Sequence, residues 1–250
     1  MFDKRLVFDT IPEQFDRRRC RYSPELFSFI VSEFQLDSSK SCLELGPGTG
    51  QATDFALDAC CDYTAIELGA NLADFMRRKY GDRPNFKIIN ADFETYDFGD
   101  SKFDLIYSAA AIQWIQEDIA YKKSFDLLRE GGYLAMFLTH GDYSASDPSL
   151  HDDIQKVYDK YFVSDSPYRQ RFNYGAATDY GFADCRTFEF HGQRVMTTDE
   201  YIDYIGTHSD HITLNEHYRD DFYNGMRAAV DAHGGRIVFD DTYRLYLCRK

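Results

Sequence analysis

Between Ser41 and Leu138, short apolar runs alternate with stretches whose apolar residues recur three and four positions apart. The runs read as buried strands and the stretches as amphipathic helices. Strands are expected at 41–46, 62–67, 86–91, 103–109 and 133–138, and helices at 51–59, 70–80 and 118–128. An earlier helix starts at Ser23-Pro24-Glu25, with Ser as N-cap and Pro in the first turn, and buries Leu26, Phe29, Ile30 and Phe34. Past Leu138 the alternation stops. Residues 140–184 are polar, with a helix expected around 152–162. A strand at 186–196, helices near 198–206 and 215–232, and a final strand at 242–248 follow. Strand–helix alternation with right-handed crossovers predicts an α/β fold, a parallel sheet covered on both faces. The helix-rich second half is expected to form a cap.

Charge changes the picture first. With 28 Lys and Arg against 42 Asp and Glu, the formal charge is −14. Affinity for nucleic acid comes largely from cations on phosphates, so neither nucleic acid nor an anionic membrane is an expected partner. The one basic run is Arg17-Arg18-Arg19 with Arg21. No apolar run reaches membrane-spanning length, and the first nine residues lack an apolar signal core. None of the six cysteines sits in a C-x-x-C pair, which removes zinc and thioredoxin-type readings. Free thiols in a reduced, cytoplasmic setting are expected. No metal site is expected. His208 and His211 read as solvent-facing helix residues.

The chemistry is concentrated at strand ends. Leu43-Glu44-Leu45-Gly46-Pro47-Gly48-Thr49-Gly50 places three alternating glycines, Gly46, Gly48 and Gly50, after the first strand, where backbone can approach a ligand. Position 51 is Gln rather than the third glycine of a dinucleotide fingerprint, and no G-K-[ST] follows, so a P-loop is excluded. Glu67 ends the second strand, where a carboxylate can accept from two ribose hydroxyls. Asp92 and Phe93 follow the third strand; Asp92 suits an adenine amino group, and Phe93 either lies against the ring or packs in the core. Small residues, Ser108 to Ala111, follow the fourth strand, before Gln113 and the single Trp, Trp114. His140, after the fifth strand, is placed for a general base but also reads as a loop histidine.

Together these segments resemble the class I S-adenosylmethionine-dependent methyltransferases, in particular the bacterial small-molecule branch similar to trans-aconitate methyltransferase. The likeness rests on Leu43 to Thr53, Ala65 to Ala73, Phe93-Glu94, Phe103 to Trp114 and Leu127 to Gly132, with Arg19 to Pro24 near the start. Gln113 stands where relatives often carry His. The resemblance implies a seven-stranded, mostly parallel Rossmann-like sheet with the last strand antiparallel, plus a helical cap. It implies one methyltransferase domain over 1–250, with a core at about 36–139 and 185–250 and cap elements at about 1–35, 140–184 and 198–232. It implies S-adenosylmethionine as cofactor, held by Arg19, Glu44, Gly46, Gly48, Gly50, Glu67, Leu68, Asp92, Phe93, Ser108, Ala109 and Trp114. Glu44 is expected near the methionyl ammonium or on the loop's N–H groups. The catalytic residues stay open between Gln113, His140 and none. The expected acceptor is a small polar molecule, a carboxylate first and an amine second, with Arg19, Arg169 and Arg171 as anion-binding candidates. Two rivals stand beside the enzyme: a catalytically inactive S-adenosylmethionine-binding regulator, and an NAD-dependent oxidoreductase.

Overall fold

The computed structural model describes residues 3–59, 62–163 and 172–250. Cys60, Cys61, Arg169 and Arg171 lie outside the described residues. In chain order the elements are a 3₁₀ turn (Lys4–Thr10), α1 (Pro12–Arg18), α2 (Pro24–Glu33), β1 (Ser41–Leu45), α3 (Asp54–Asp58), β2 (Asp62–Glu67), α4 (Ala70–Tyr80), β3 (Phe86–Asn90) and β4 (Phe103–Ala109). They continue with a short 3₁₀ turn (Ile112–Trp114), α5 (Glu117–Leu127), β5 (Leu128–Asp142), α6 (Pro148–Tyr161), a 3₁₀ turn (Ala176–Tyr180), β6 (Ala183–Thr197), α7 (Thr198–Ile205), α8 (Ser209–Ile212), α9 (Glu216–Ala232) and β7 (Arg236–Arg249).

The seven strands form one sheet in the order β3-β2-β1-β4-β5-β7-β6. β1 is parallel to β2 and β4, β2 to β3, and β4 to β5. The last strand runs the other way. Against β5, Gly131 and Gly132 bond with Lys250 while Gly141 lies beside Asp241, and against β6 the pairs Glu189–Arg244, Gln193–Asp240 and Cys185–Cys248 recur, so in both ladders one number rises as the other falls. β7 is therefore antiparallel, as expected, and lies between β5 and β6 rather than at an edge.

Two compact units divide the chain. The first, the sheet unit, is Cys20–Thr139, Gln170–Phe190 and Tyr243–Lys250. Alternate strand residues go to opposite faces. Cys42, Ala65, Tyr107 and Phe137 join one apolar cluster, with Leu26 and Ile30 of α2. Leu43, Ile66, Ile106 and Met136 join another, with Ala120 and Tyr121 of α5. Both faces are thus covered, which explains the continuous apolar runs. The second, the helical unit, is Met1–Arg19, His140–Arg169 and His191–Thr242. Its core gathers Leu150 and Ile154 of α6, Tyr201 and Ile205 of α7, and Phe222, Met226 and Val230 of α9. Arg18 in α1 binds Glu200 and Asp203 of α7, and Gln14 donates to the Asp203 carbonyl.

Two expectations are corrected here. Cys185 and Cys248 form a disulfide with Cα atoms 4.2 Å apart, while Cys20 and Cys42 are not in a disulfide. They lie 63 residues apart in sequence, and only the antiparallel β6–β7 pairing makes them neighbours. His211 is buried at 5% exposure and His208 is half-buried, so the pair does not face solvent. Phe222 of α9 and Phe162, just past the end of α6, pack against His211 instead. No helix among the described residues is long and apolar enough to cross a membrane.

Candidate functional site

Because β1 to β4 are parallel, their last residues, Leu45, Glu67, Asn90 and Ala109, lie at one edge of the sheet. Ligands of open α/β sheets sit outside this carboxyl edge. The loop after β1 is pinned at several points. The Gly46 N–H donates to the Ile66 carbonyl at 3.0 Å. Gly46 has φ +63°, and a Cβ there would stand 2.6 Å from the Ala111 Cβ. Gly50 has φ +88°, and its Cβ would meet the Tyr80 ring at 2.6 Å. Tyr80 and Arg21 donate to the Gly50 carbonyl, and Lys79 to the Thr49 carbonyl. The end of α4 thus holds the loop from one side.

Glu67 holds it at its middle. This carboxylate is buried at 6% exposure; Oε2 accepts from the Gly48 N–H at 3.0 Å and Oε1 from the Gly69 N–H at 2.9 Å. Leu68 is half-buried beside it, and Asn90 donates to the Glu67 and Leu68 carbonyls. Asp92 is half-buried, with Oδ1 accepting from the Glu94 N–H at 2.9 Å. Phe93 packs in the core at 5% exposure, under the Lys123 ammonium, which also donates to its carbonyl.

Glu44 faces the other way from the loop N–H groups. It is 0% exposed, and Oε2 accepts from Tyr63 at 2.5 Å, Thr53 at 2.7 Å and Tyr107 at 3.0 Å. The alternative that Glu44 holds the loop amides is corrected: Glu67 does so. Burial pushes the Glu44 carboxyl's pKa up, against the hydroxyls that pull it down.

Ser108 is buried and donates to the Leu45 carbonyl, locking β4 to β1. Beyond half-buried Ala109, Ala110 takes φ +52°, a sparsely populated region for a residue with a Cβ. Gln113 stabilises that turn: its amide nitrogen donates to the Ala110 carbonyl at 2.8 Å, and its oxygen accepts from Tyr174 at 3.0 Å. Trp114 is half-buried in the same 3₁₀ turn. The structure therefore brings Glu44, the glycines, Glu67, Leu68, Asp92, Ser108, Ala109, Gln113 and Trp114 into one unit. Arg19 and His140 belong to the helical unit. There the Arg19 guanidinium lies over the Phe8 and Phe15 rings, and His140 is exposed near the end of β5.

The helical unit also holds a cluster that the sequence reading passed over. Asp210 stays ionised: burial is the largest single influence and raises its pKa, but the hydrogen bond from His211, the charges of His211 and His208 and a backbone hydrogen bond together lower it. His211 therefore donates from Nδ1 to Asp210 at 3.0 Å, and Nε2 meets the Tyr158 hydroxyl at 2.9 Å. The 53-residue separation of Tyr158 and His211 hid it. Among the described residues, no group of three or more His, Cys, Asp and Glu side chains is arranged for a metal.

Comparison with known proteins finds a likeness to methyltransferases. Residues 43–136 match the family described as "methyltransferase domain". Over 75 residues, 30% of this chain and 29% of the other, the chain is 32% identical to ribosomal RNA small subunit methyltransferase A of Coxiella burnetii. Over 146 residues, 58% of this chain and 53% of the other, it is 29% identical to malonyl-[acyl-carrier protein] O-methyltransferase of Enterobacter lignolyticus. The matches thus span from under a third to about half of these relatives. Among solved structures, Haemonchus contortus phosphoethanolamine N-methyltransferase 2 aligns over 100% of this chain and 60% of its own, at 14% identity and a TM-score of 0.59. The match at 43–136 begins on β1, ends in β5 and contains the whole pinned loop with Glu67 and Asp92, so the likeness to methyltransferase domains falls on the candidate site.

Proposed function

We propose that the chain transfers the methyl group of S-adenosylmethionine to a small polar acceptor, with a carboxylate oxygen as the accepting atom. The observation that carries the reading is Glu67. A carboxylate offers roughly four acceptor positions, and this one ends β2 beside the glycine loop, where it accepts from the Gly48 and Gly69 N–H groups. In this reading its oxygens accept from the two hydroxyls of a ribose. Asp92, just past the end of β3, accepts from the adenine amino group in this reading. The close approach of Gly46 to Ala111 leaves bare backbone for the methionyl part. Leu68, Ser108, Ala109 and Trp114 complete the surroundings in this reading, and Phe93 supports them from the core.

Bound S-adenosylmethionine supplies an electrophilic methyl group on a sulfonium. The chain's own residues bind, orient the acceptor and exclude water, which is largely a proximity effect. Gln113 is an amide with both ends engaged and takes no proton from an acceptor. A carboxylate is already ionised near neutral pH and requires no base. The O-methyltransferase relative matches over 146 residues against 75 for the ribosomal one, which also favours an oxygen acceptor. A chain of charge −14 does not attract anions at long range, so a local cation must serve.

The test is incubation with methyl-labelled S-adenosylmethionine and a panel of di- and tricarboxylic acids, amines, phenols and RNA. Base-labile methyl esters are expected. Label on amines, phenols or RNA alone rejects the carboxylate. Binding of S-adenosylmethionine without turnover on any acceptor favours the inactive regulator, and binding of NAD alone favours the oxidoreductase.

A further inference from the structure

We propose that Glu44 is a proton-linked charge partner for the cofactor: its carboxyl is protonated in the ligand-free chain and releases that proton when the cationic methionyl end of S-adenosylmethionine binds. The inference rests on the cofactor reading above.

The geometry is asymmetric. Oε2 carries all three hydroxyl contacts, from Tyr63 on β2, Tyr107 on β4 and Thr53 at the N-cap of α3. Oε1 is buried and has no hydrogen-bond partner. The β1–β4 register sets Glu44 directly opposite Tyr107, and Tyr63 and Cys42 share that face of the sheet. Tyr80 from α4, Asp54 from α3 and Cys42 are the other titratable groups whose fields reach this cluster. None of these is cationic. Arg21 acts on Tyr80 and donates to the Gly50 carbonyl. Among the described residues Glu44 makes no ion pair, so an anion here would be both buried and unneutralised. Such a charge is costly, and the group takes up a proton instead. Burial is indeed the largest influence on this carboxyl and raises its pKa.

The position gives the burial a use. Glu44 precedes Gly46 by two residues, and its bond to Thr53 spans the base of the glycine loop. Among the described residues, the groups that satisfy Glu44 are neutral hydroxyls. A ligand that brings an ammonium and a sulfonium to this loop supplies the missing positive charge. On binding, the O–H bond of Glu44 breaks and the proton goes to solvent. The carboxylate left behind is balanced by the ligand's charge, and no other bond changes. Two consequences follow. About one proton is released per cofactor bound, and affinity rises by up to roughly tenfold per pH unit until Glu44 is ionised in the free chain as well. A carboxyl that served only to tie α3 to β1, β2 and β4 would do neither.

Calorimetric titration of the full chain with S-adenosylmethionine, across neutral pH and in two buffers of different ionisation heat, counts the protons directly. Infrared spectra of the ligand-free chain add a second readout, the carbonyl stretch of a buried protonated carboxyl, which is expected to vanish with ligand and in Glu44→Gln. That variant is expected to bind without proton release and with a flat pH profile. Tyr107→Phe keeps the carboxyl but removes one donor, and is expected to move the wild-type profile to higher pH. Binding by the wild type with no proton release, or a pH slope that survives in Glu44→Gln, overturns the inference while leaving the cofactor reading intact. If Glu44→Gln does not fold, an unshifted profile in Tyr107→Phe overturns it. No binding at any pH removes both readings.

Discussion

Glu67 and Gly48, 19 residues apart, are joined by a 3.0 Å hydrogen bond from the Gly48 N–H to Oε2, so one carboxylate both ends β2 and fixes the loop that follows β1. Its second oxygen holds the Gly69 N–H at the start of α4. Replacing Glu67 by Ala removes the carboxylate oxygens proposed to hold a ribose as well as the loop's anchor. Hydrogen bonds to charged groups are each worth about 1.5–3 kcal/mol, so S-adenosylmethionine affinity is expected to fall roughly a hundredfold or more. Glu67→Gln, with one acceptor oxygen left, is expected to lie between. Calorimetric titration decides. An unchanged dissociation constant in Glu67→Ala would remove the ribose assignment.

Gly46 meets two constraints that can be separated. Its φ of +63° disfavours any side chain, and an added Cβ would stand 2.6 Å from that of Ala111. Gly46→Ala is expected to lower both the melting temperature and cofactor affinity. Adding Ala111→Gly relieves the clash but not the backbone strain. The double variant is expected to recover part of the loss and no more. Full recovery in a thermal melt would show that the positive φ carries no cost.

The carboxyl-edge residues were legible because each follows a buried parallel strand, where apolar runs such as Leu43 and Leu45 in β1 or Tyr63 to Ile66 in β2 leave little choice of element. The ends of β5, β6 and β7 were not. β6 is exposed at alternate positions and fully so over its first residues, and it reads only from Arg186 by apolar pattern although it pairs from Ala183. The segment over 129–132 reads as a helix stop, yet β5 starts at Leu128, and Gly131 and Gly132 pair with Lys250 of the far terminus. The hydroxyl ring of Glu44 needed the register that sets Tyr107 opposite it. Tyr158 and His211, and Cys185 and Cys248, are brought together by tertiary packing that no local spacing encodes.

The disulfide has a consequence for stability. Cross-linking residues 63 apart restricts the unfolded chain, which by the loop-entropy model is worth about 4 kcal/mol. Cys185→Ser is expected to lower the melting temperature of the oxidised protein by several degrees, and reductant to have the same effect on the wild type and none on the variant. Thiol titration of the denatured, unreduced chain, compared between the two proteins, checks the bond itself. A variant with one more free thiol than the wild type confirms the pairing, and one with one fewer refutes it.

His208 makes the fold sensitive to acid. It stands at the N-cap of α8, with the rings of Tyr204 and His211 at 4.8 and 5.2 Å. Burial, reinforced by the charges of Arg19 and His211, holds its pKa well below the usual histidine range. The sign follows from linkage. In the unfolded chain the ring takes up a proton near its ordinary pKa of about 6.5, while the folded chain keeps it neutral. The unfolded state therefore binds more protons below that pH, and stability present above it is lost as the pH falls. Glu44 acts in the opposite sense, since its raised pKa favours the fold more as pH falls, so the wild type must be compared with a variant rather than read alone. His208→Asn keeps a polar group of similar size but does not titrate. Between about pH 7 and 5 the melting temperature of the wild type is expected to fall more steeply than that of His208→Asn. Equal slopes would mean that His208 is protonated in the folded chain as readily as in the unfolded one, and that its burial has no electrostatic cost.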